Sequence, residues 1–263
     1  MDIHPVYSED ITIKHVRVET NGPNTDGIVI DSSENVLVEG VKIASGDDAI
    51  ALKSGLDDDG WRENRPTRHV VIRDVDVIDG HGGMTIGSEM SGGIEDVLVE
   101  NARFQDVDTG IRIKTLKGRG GFIKNIRYRN ITMDNLDDNA IEITERYKFS
   151  TVESESDHLP LIQDILIEGI KAKKGERAMT IQGIAESPIQ GLSLKNSDFS
   201  VETPGVIDDL DGGIIENVLL HTKKGDEALE FENVRNITIS VPFRMTTMTI
   251  NPTLPSTESA QGA

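Results

Sequence analysis

The strongest constraint on this chain is one segment that recurs nine times: a polar residue or Asn, alternating apolar residues, a polar pair, and the alternation resumed. It reads EDITIKHVRV from Glu9, ENVLVEGVKI from Glu34, HVVIRDVDV from His69, EDVLVENARF from Glu95 and KNIRYRNITM from Lys124. It returns as QDILIEGIKA from Gln163, QGLSLKNSDF from Gln190, ENVLLHTKKG from Glu216 and RNITISVPF from Arg235. The first apolar residues of the copies are Ile11, Val36, Val70, Val97, Ile126, Ile165, Leu192, Val218 and Ile237, with most intervals between 25 and 29 residues. Such a period marks a solenoid, and alternation of period two marks each copy as strand. No copy holds the 10–15-residue helical pattern of a leucine-rich or helical-pair repeat. A parallel β-helix remains, in which inward Ile, Val and Leu stack from coil to coil and bury a core that no single coil could bury.

Composition agrees where it bears on the point. Gly is abundant (25 residues) and aromatics are few (4%), which suits short strands and tight turns. The formal charge of −19 argues against nucleic acid or an anionic membrane as partner, and a halophilic source would also account for it. There is no cysteine, so neither disulfide nor thiol chemistry is available. The opening MDIHPVYSED lacks the basic start and apolar run of an export signal, and no stretch approaches the ~18 apolar residues of a membrane helix. A soluble monomer is expected.

Two intervals are longer than the rest. The surplus is GLDDDGWRENRPT before Val70 and ERYKFSTVESESDHLP before Ile165, both read as turns beside the site. DDDG at 57–60 lacks the ligand spacing of a calcium loop and reads as an acidic turn. Gly92, Gly93, Gly118, Gly120 and Gly121 are expected to supply positive φ at corners. One β-helix domain is expected over residues 1–241, with a loosely ordered tail over 242–263. The first copy begins at Glu9 with almost nothing before it to cap the coil, as in a truncated protein.

Four polar motifs fall at one place in successive copies: NTDG (Asn24–Gly27), GDD (Gly46–Asp48), GHG (Gly80–Gly82) and RIK (Arg112–Lys114). Aligning Ile28, Ile50, Met84 and Ile111 puts Asp26, Asp48, Gly82 and Thr109 in one column and Thr25, Asp47 and His81 in the next. With rungs ~4.8 Å apart, three carboxylates become neighbours and at least one pKa should rise. Arg112 and Lys114 alternate with inward Ile111 and Ile113 and so point outward. Each motif alone also reads as a turn or a solvated strand face; their stacking on adjacent rungs favours acid and base catalysis of glycosidic-bond hydrolysis. RIKTLKGRGG carries Arg112, Lys114, Lys117 and Arg119 without an acid, a positive island suited to a substrate bearing carboxylates.

NTDG, SGDDAIALKSG, GHGG, IGSEMSGG and GIRIKT, in this order and coil spacing, closely resemble the family 28 glycoside hydrolases, the polygalacturonases, particularly bacterial ones. The resemblance runs from about Ile3 to Tyr147 and continues weakly beyond. It implies a right-handed parallel β-helix and metal-free, cofactor-free, inverting hydrolysis of α-1,4-linked galacturonate in pectin. Asp47 would be the general acid, and Asp26 and Asp48 would activate water. His81 would tune the acid or orient the sugar. Arg112 and Lys114 would hold the substrate carboxylate, with Asn24 and Tyr147 as further substrate contacts. The pairing of NTDG with GHG favours polygalacturonase over the rhamnogalacturonan-cleaving branch. Ala49 stands where the family usually has Cys, and Met1 and Asp2 precede IHPV where a Trp is common. The resemblance also implies secretion or a periplasmic location, while the missing export signal leaves a cytoplasmic one open. The alternatives are a calcium-dependent pectate lyase and a catalytically idle carbohydrate-binding solenoid or inactive N-terminally truncated fragment that keeps the motifs; the GDD and GHG columns speak against the first.

Overall fold

The computed structural model describes residues 2–148, 156–223 and 227–240, and the backbone of 244–245. Its first coils are built from β1 (Glu9–Lys14), β2 (Arg17–Glu19), β3 (Ile28–Asp31), β4 (Glu34–Glu39), β5 (Lys42–Ala44) and β6 (Ile50–Lys53), followed by the short helix α1 (Asp57–Glu63). Then come β7 (Thr67–Arg73), β8 (Asp76–Gly87), β9 (Ile94–Lys114), β10 (Phe122–Thr144), β11 (Leu161–Gln182), β12 (Ile189–Asp208) and β13 (Leu210–Thr222). The last strands are β14 (Glu230–Glu232), β15 (Arg235–Ser240) and β16 (Arg244–Met245). Every pairing between these strands is parallel and joins one coil to the next: β9, for example, pairs with β7 through Ile94–Glu100 and with β8 through Arg103–Lys114. This is the parallel β-helix that the repeat implies.

Two inward ladders hold the coils in register. Val36, Val70, Val97, Ile126, Ile165 and Leu192 are successive partners on one side. Ile30, Leu52, Ile86, Ile113, Ile143, Ile181 and Ile207 are successive partners on another. All are nearly inaccessible to solvent. Each rung is worth about 2–5 kcal/mol against truncation to Ala. On the outside, one corner repeats in left-handed conformation through Asp10, Asn35, His69, Asp96, Asn125 and Asp164, then Gly191, Gly212 and Asn236. Asx residues tolerate this region and Gly adopts it freely, and the side chains link neighbouring coils, as in Asn35 Nδ2 donating to Asp10 Oδ1 at 3.0 Å.

The structure corrects three expectations. Val218 is not the equivalent of Leu192: Leu192 pairs with Gly213, and Val218 with Ser197. Each copy holds two apolar strands around its polar pair, and here the second, VLL, imitates the first. The GLDDDGWRENRPT surplus is not merely a turn, because it forms α1, whose first turn is Asp57, Asp58 and Asp59. Gly92 is not at positive φ, unlike Gly93, Gly118, Gly120 and Gly121; it is required because a Cβ there would lie 2.7 Å from the Ser54 carbonyl oxygen. The tail expected over 242–263 lies outside the described residues apart from the β16 backbone.

Candidate active site

The column alignment read from the sequence is the register observed: Ile28 faces Ile50, Ile50 faces Met84, and Met84 faces Ile111. Backbone hydrogen bonds carry the stack back through the motifs, from Gly27 N to Asp48 O (3.0 Å), His81 N to Asp47 O (2.9 Å) and Ala49 N to Gly82 O (2.8 Å). The turn of NTDG is closed by Thr20 Oγ1 donating to Thr25 O at 3.0 Å. Gly27 has to be glycine, since a Cβ would sit 2.6 Å from Ala49 O. Gly82 leaves the space that the Asp48 carboxylate occupies, and a side chain there would meet Asp48 Oδ1 and Thr85 Oγ1.

The result is a cleft of about 1290 Å³ lined by all eight predicted residues: Asn24, Asp26, Asp47, Asp48, His81, Arg112, Lys114 and Tyr147. One carboxylate oxygen each from Asp26, Asp47 and Asp48 lies within 4.8 Å of the others. The three differ in depth: the Asp47 side chain is 22% exposed, Asp26 8% and Asp48 4%. Asp47 therefore stands at the mouth, with Oδ1 accepting from the Asp48 amide at 2.8 Å and 3.9 Å from His81 Nδ1. Asp48 lies beneath, accepting from Thr85 Oγ1 at 2.8 Å and from Lys114 Nζ at 2.9 Å. Asp26 meets Lys53 Nζ at 3.2 Å, and that ammonium also lies 3.5 Å from Glu89.

Burial pushes the Asp26 carboxyl above its ordinary value, the Lys53 charge opposes this, and the nearby Asp48 and Asp47 charges reinforce it. The expected rise among the trio is thus found at Asp26. Burial lowers the proton affinity of Lys53, but Glu89 and Asp26 outweigh it and hold the ammonium charged. Asp108, also on the cleft wall, is raised by burial against the pull of His81.

The two predicted substrate cations are outward from the core yet already engaged. Arg112 Nε donates to Glu142 Oε2 at 2.7 Å, and Lys114 is the partner of Asp48. The Tyr147 ring covers both, 5.6 Å from the Arg112 guanidinium carbon and 5.2 Å from Lys114 Nζ. Its backbone amide is tied to Thr115 O at 3.0 Å. The second surplus loop, 145–160, contributes Glu145, Arg146, Tyr147 and Lys148 to the cleft, as α1 contributes Asp57; residues 149–155 of that loop lie outside the described ones.

Sequence reasoning did not single out Lys53, Thr85, Glu89, Glu142 or Glu145. Two of them carried a signal: Lys53 follows Asp48 by the same offset that separates Lys114 from Thr109, and Thr85 pairs with Arg112 on the outward face.

Residues 2–240 match the model of the glycosyl hydrolases family 28. The chain belongs to glycoside hydrolase family 28. A "probable polygalacturonase" of Vitis vinifera is 38% identical over 74% of the chain and 40% of its own length. An "exo-poly-alpha-D-galacturonosidase" of Dickeya chrysanthemi is 26% identical over 88% of the chain and 40% of its own. Among solved structures, an exopolygalacturonase from Thermotoga maritima superposes with a TM-score of 0.71, at 29% identity, over 90% of the chain and 49% of its own. The family 28 exopolygalacturonase of Yersinia enterocolitica gives 0.74 at 25% identity, over 82% and 39%. The fold of this family 28 chain is the right-handed parallel β-helix. It spans less than half the length of these relatives. Among the described residues no helix is long and apolar enough to cross a membrane.

Proposed function

We propose that this cleft hydrolyses α-1,4-galacturonosidic bonds of polygalacturonate without a metal or cofactor. The observation that carries the reading is the trio of carboxylates within 4.8 Å, graded in depth and faced by cations in one cleft. Asp47, at the mouth, protonates the leaving glycosidic oxygen, with His81 beside it to assist the acid or orient the sugar. Asp26 and Asp48, deeper and each against a lysine, draw the proton from an attacking water. Asp26 serves as base only when ionised, so activity falls as pH drops through its raised pKa. Arg112 and Lys114 take the carboxylate of one galacturonate, and Tyr147 and Asn24 contact the sugar. The names of the family 28 relatives support this substrate class.

On stereochemistry two considerations pull apart. The family resemblance implies inversion, whereas carboxylate oxygens this close are nearer the ~5–5.5 Å spacing of retaining pairs than the ~6.5–9.5 Å of inverting ones. A third carboxylate relieves the conflict, because Asp26 and Asp48 together can hold the water while Asp47 reaches the leaving oxygen. The first product should then carry a β reducing end, which proton NMR during early turnover reads directly. A monomer that is secreted or periplasmic, with a cytoplasmic location left open, goes with this reading; the charge of −19 disfavours nucleic acid and anionic membranes, and against a polyanionic substrate it has to be offset locally by the cleft cations Lys53, Arg112, Lys114 and Arg119.

The test is reducing-end release from polygalacturonate in EDTA at mildly acidic pH, with Asp47→Asn beside the parent and circular dichroism on both. Release by the parent alone supports the assignment. Equal release by Asp47→Asn removes Asp47 as the acid, and a folded parent that releases nothing removes the hydrolase reading for this chain.

A further inference from the structure

After Lys114 the chain leaves β9 and crosses the cleft edge as Leu116, Lys117, Gly118 and Arg119. This crossing is pinned from several sides. The Arg119 carbonyl accepts from Trp61 Nε1 of α1 at 3.1 Å and from Ser91 Oγ at 2.8 Å, and Gly118 N donates to His158 O at 2.9 Å. Gly120, at φ +60°, lets the turn pass under Trp61 and His158, whose rings lie 4.0 Å apart. Such anchoring fixes the direction of one side chain.

That side chain is more than nine-tenths buried, lines the cleft, and has both Nε and Nη1 without a hydrogen-bond acceptor. Its nearest carboxylate, Asp57 Oδ1, stands 3.5 Å from Nε and is itself unsatisfied. Burial pushes the guanidinium below its ordinary value despite Asp57 and Glu89. The cations around the carboxylate trio are otherwise committed: Lys53 to Asp26 and Glu89, Lys114 to Asp48, and Arg112 to Glu142. A rigid, desolvated guanidinium with idle donors is costly to hold, and its planar fork matches a carboxylate. Its neighbours Ser91, Asp57 and Glu89 all follow the C-terminal ends of β6 and β8, so Arg119 stands beyond the strand ends, away from the turns that carry Asp26, Asp47 and Asp48.

We infer that Arg119 receives the carboxylate of a second uronate residue, one or more sugars along the chain from the residue held by Arg112 and Lys114. This rests on the hydrolase reading for its substrate and extends it: cleft affinity would depend on two carboxylates at fixed separation, so that Arg119 measures chain length and free acid at a distance from the scissile bond. Both donors are closed to solvent here, so the second carboxylate reaches them by taking the place of Asp57, whose contact at 3.5 Å is loose.

The experiment measures kcat and KM on a ladder of oligogalacturonates, dimer to hexamer, for the parent, Arg119→Gln and Asp57→Asn. A charged hydrogen-bonding group predicts a loss of about ten- to a hundredfold in kcat/KM for Arg119→Gln. That loss should be carried by KM, appear only from the length that spans both cations, and be absent from Asp57→Asn. Arg119→Lys, which keeps the charge without the fork, should be intermediate, and it replaces Arg119→Gln if circular dichroism shows the latter unfolded. Equal loss at every length, or the same loss in Asp57→Asn, means that Arg119 merely braces α1 and overturns the inference. If the folded parent cleaves no oligomer, the hydrolase reading fails separately; calorimetric titration of the same ladder then decides whether length-dependent binding is lost with Arg119.

Discussion

Glu145 offers a stability experiment whose size follows from the structure. It emerges from β10 into the cleft wall with 1% of its surface exposed. Oε2 accepts from Ile184 N at 3.0 Å, while Oε1 is buried without a partner. Burial pushes its pKa up from 4.5 to about 8; the Ile184 amide and Arg146 oppose this and Asp209 adds to it. Between those values the native protein keeps a proton that the unfolded chain releases. The Glu145 contribution to stability is therefore fully present below pH 4.5 and falls by about 1.4 kcal/mol for each pH unit until the folded pKa is passed. Across the window the loss is about 5 kcal/mol, comparable with the whole stability of many domains. Glu145→Gln mimics the protonated acid, keeps an oxygen for Ile184 N, and cannot titrate. Urea unfolding of both proteins, followed by circular dichroism through this pH range, should give similar midpoints at the acid end and an advantage for the variant that widens toward about 5 kcal/mol at the alkaline end. Parallel profiles would show that Glu145 carries no displaced titration and would refute the argument from burial.

Lys53→Met should move the acid limb of the kcat/KM profile to higher pH, because it removes the charge that favours ionised Asp26; an unmoved limb would dissociate Lys53 from the base. Lys114→Ala should raise KM and also lower kcat, since Lys114 is the partner of Asp48 as well as a substrate cation, and calorimetry should find about 3–5 kcal/mol of lost stability from the stranded carboxylate. Gly82→Ala should reduce kcat and also lower the melting temperature, because the added methyl meets Asp48 Oδ1 and Thr85 Oγ1, a buried hydrogen-bonded pair, and forces them apart. Parent-like turnover there would mean that the Asp48 position is not needed.

The sequence made the architecture legible because inward residues alternate strictly and the coil length is nearly constant. Aligning Ile28, Ile50, Met84 and Ile111 sufficed to put three Asp and His81 side by side. The alignment slipped at Val218, because Gly213 occupies the inward rung between Leu192 and Ile237 and leaves the ladder without its apolar mark there. Helix α1 was obscured because Asp57–Glu63 is too short for a helical period to emerge. Within the site, position was readable and pairing was not. That Lys53 bends toward Asp26, and that Arg112 commits a donor to Glu142, depends on side-chain reach across coils rather than on spacing along the chain. Glu145 gave no signal at all, because the Ile184 amide that it accepts from and the Asp209 charge that acts on it come from later coils.

The left-handed corner that runs from Asp10 to Asn236 has a consequence for how such a protein can grow. Every coil closes through the same corner, so a coil can be duplicated or lost without disturbing how its neighbours close. The chemistry does not share that freedom. Asp26, Asp48, His81 and Lys114 come from four consecutive coils, and one extra coil among them would move adjacent members a further ~4.8 Å from each other, enough to break the Asp48–Lys114 contact or take His81 away from Asp47. An extra coil beyond β12 would leave all these contacts intact. Lineages carrying this fold are therefore free to vary in length at the ends of the spiral while the segment from Asn24 to Lys114 keeps a fixed count.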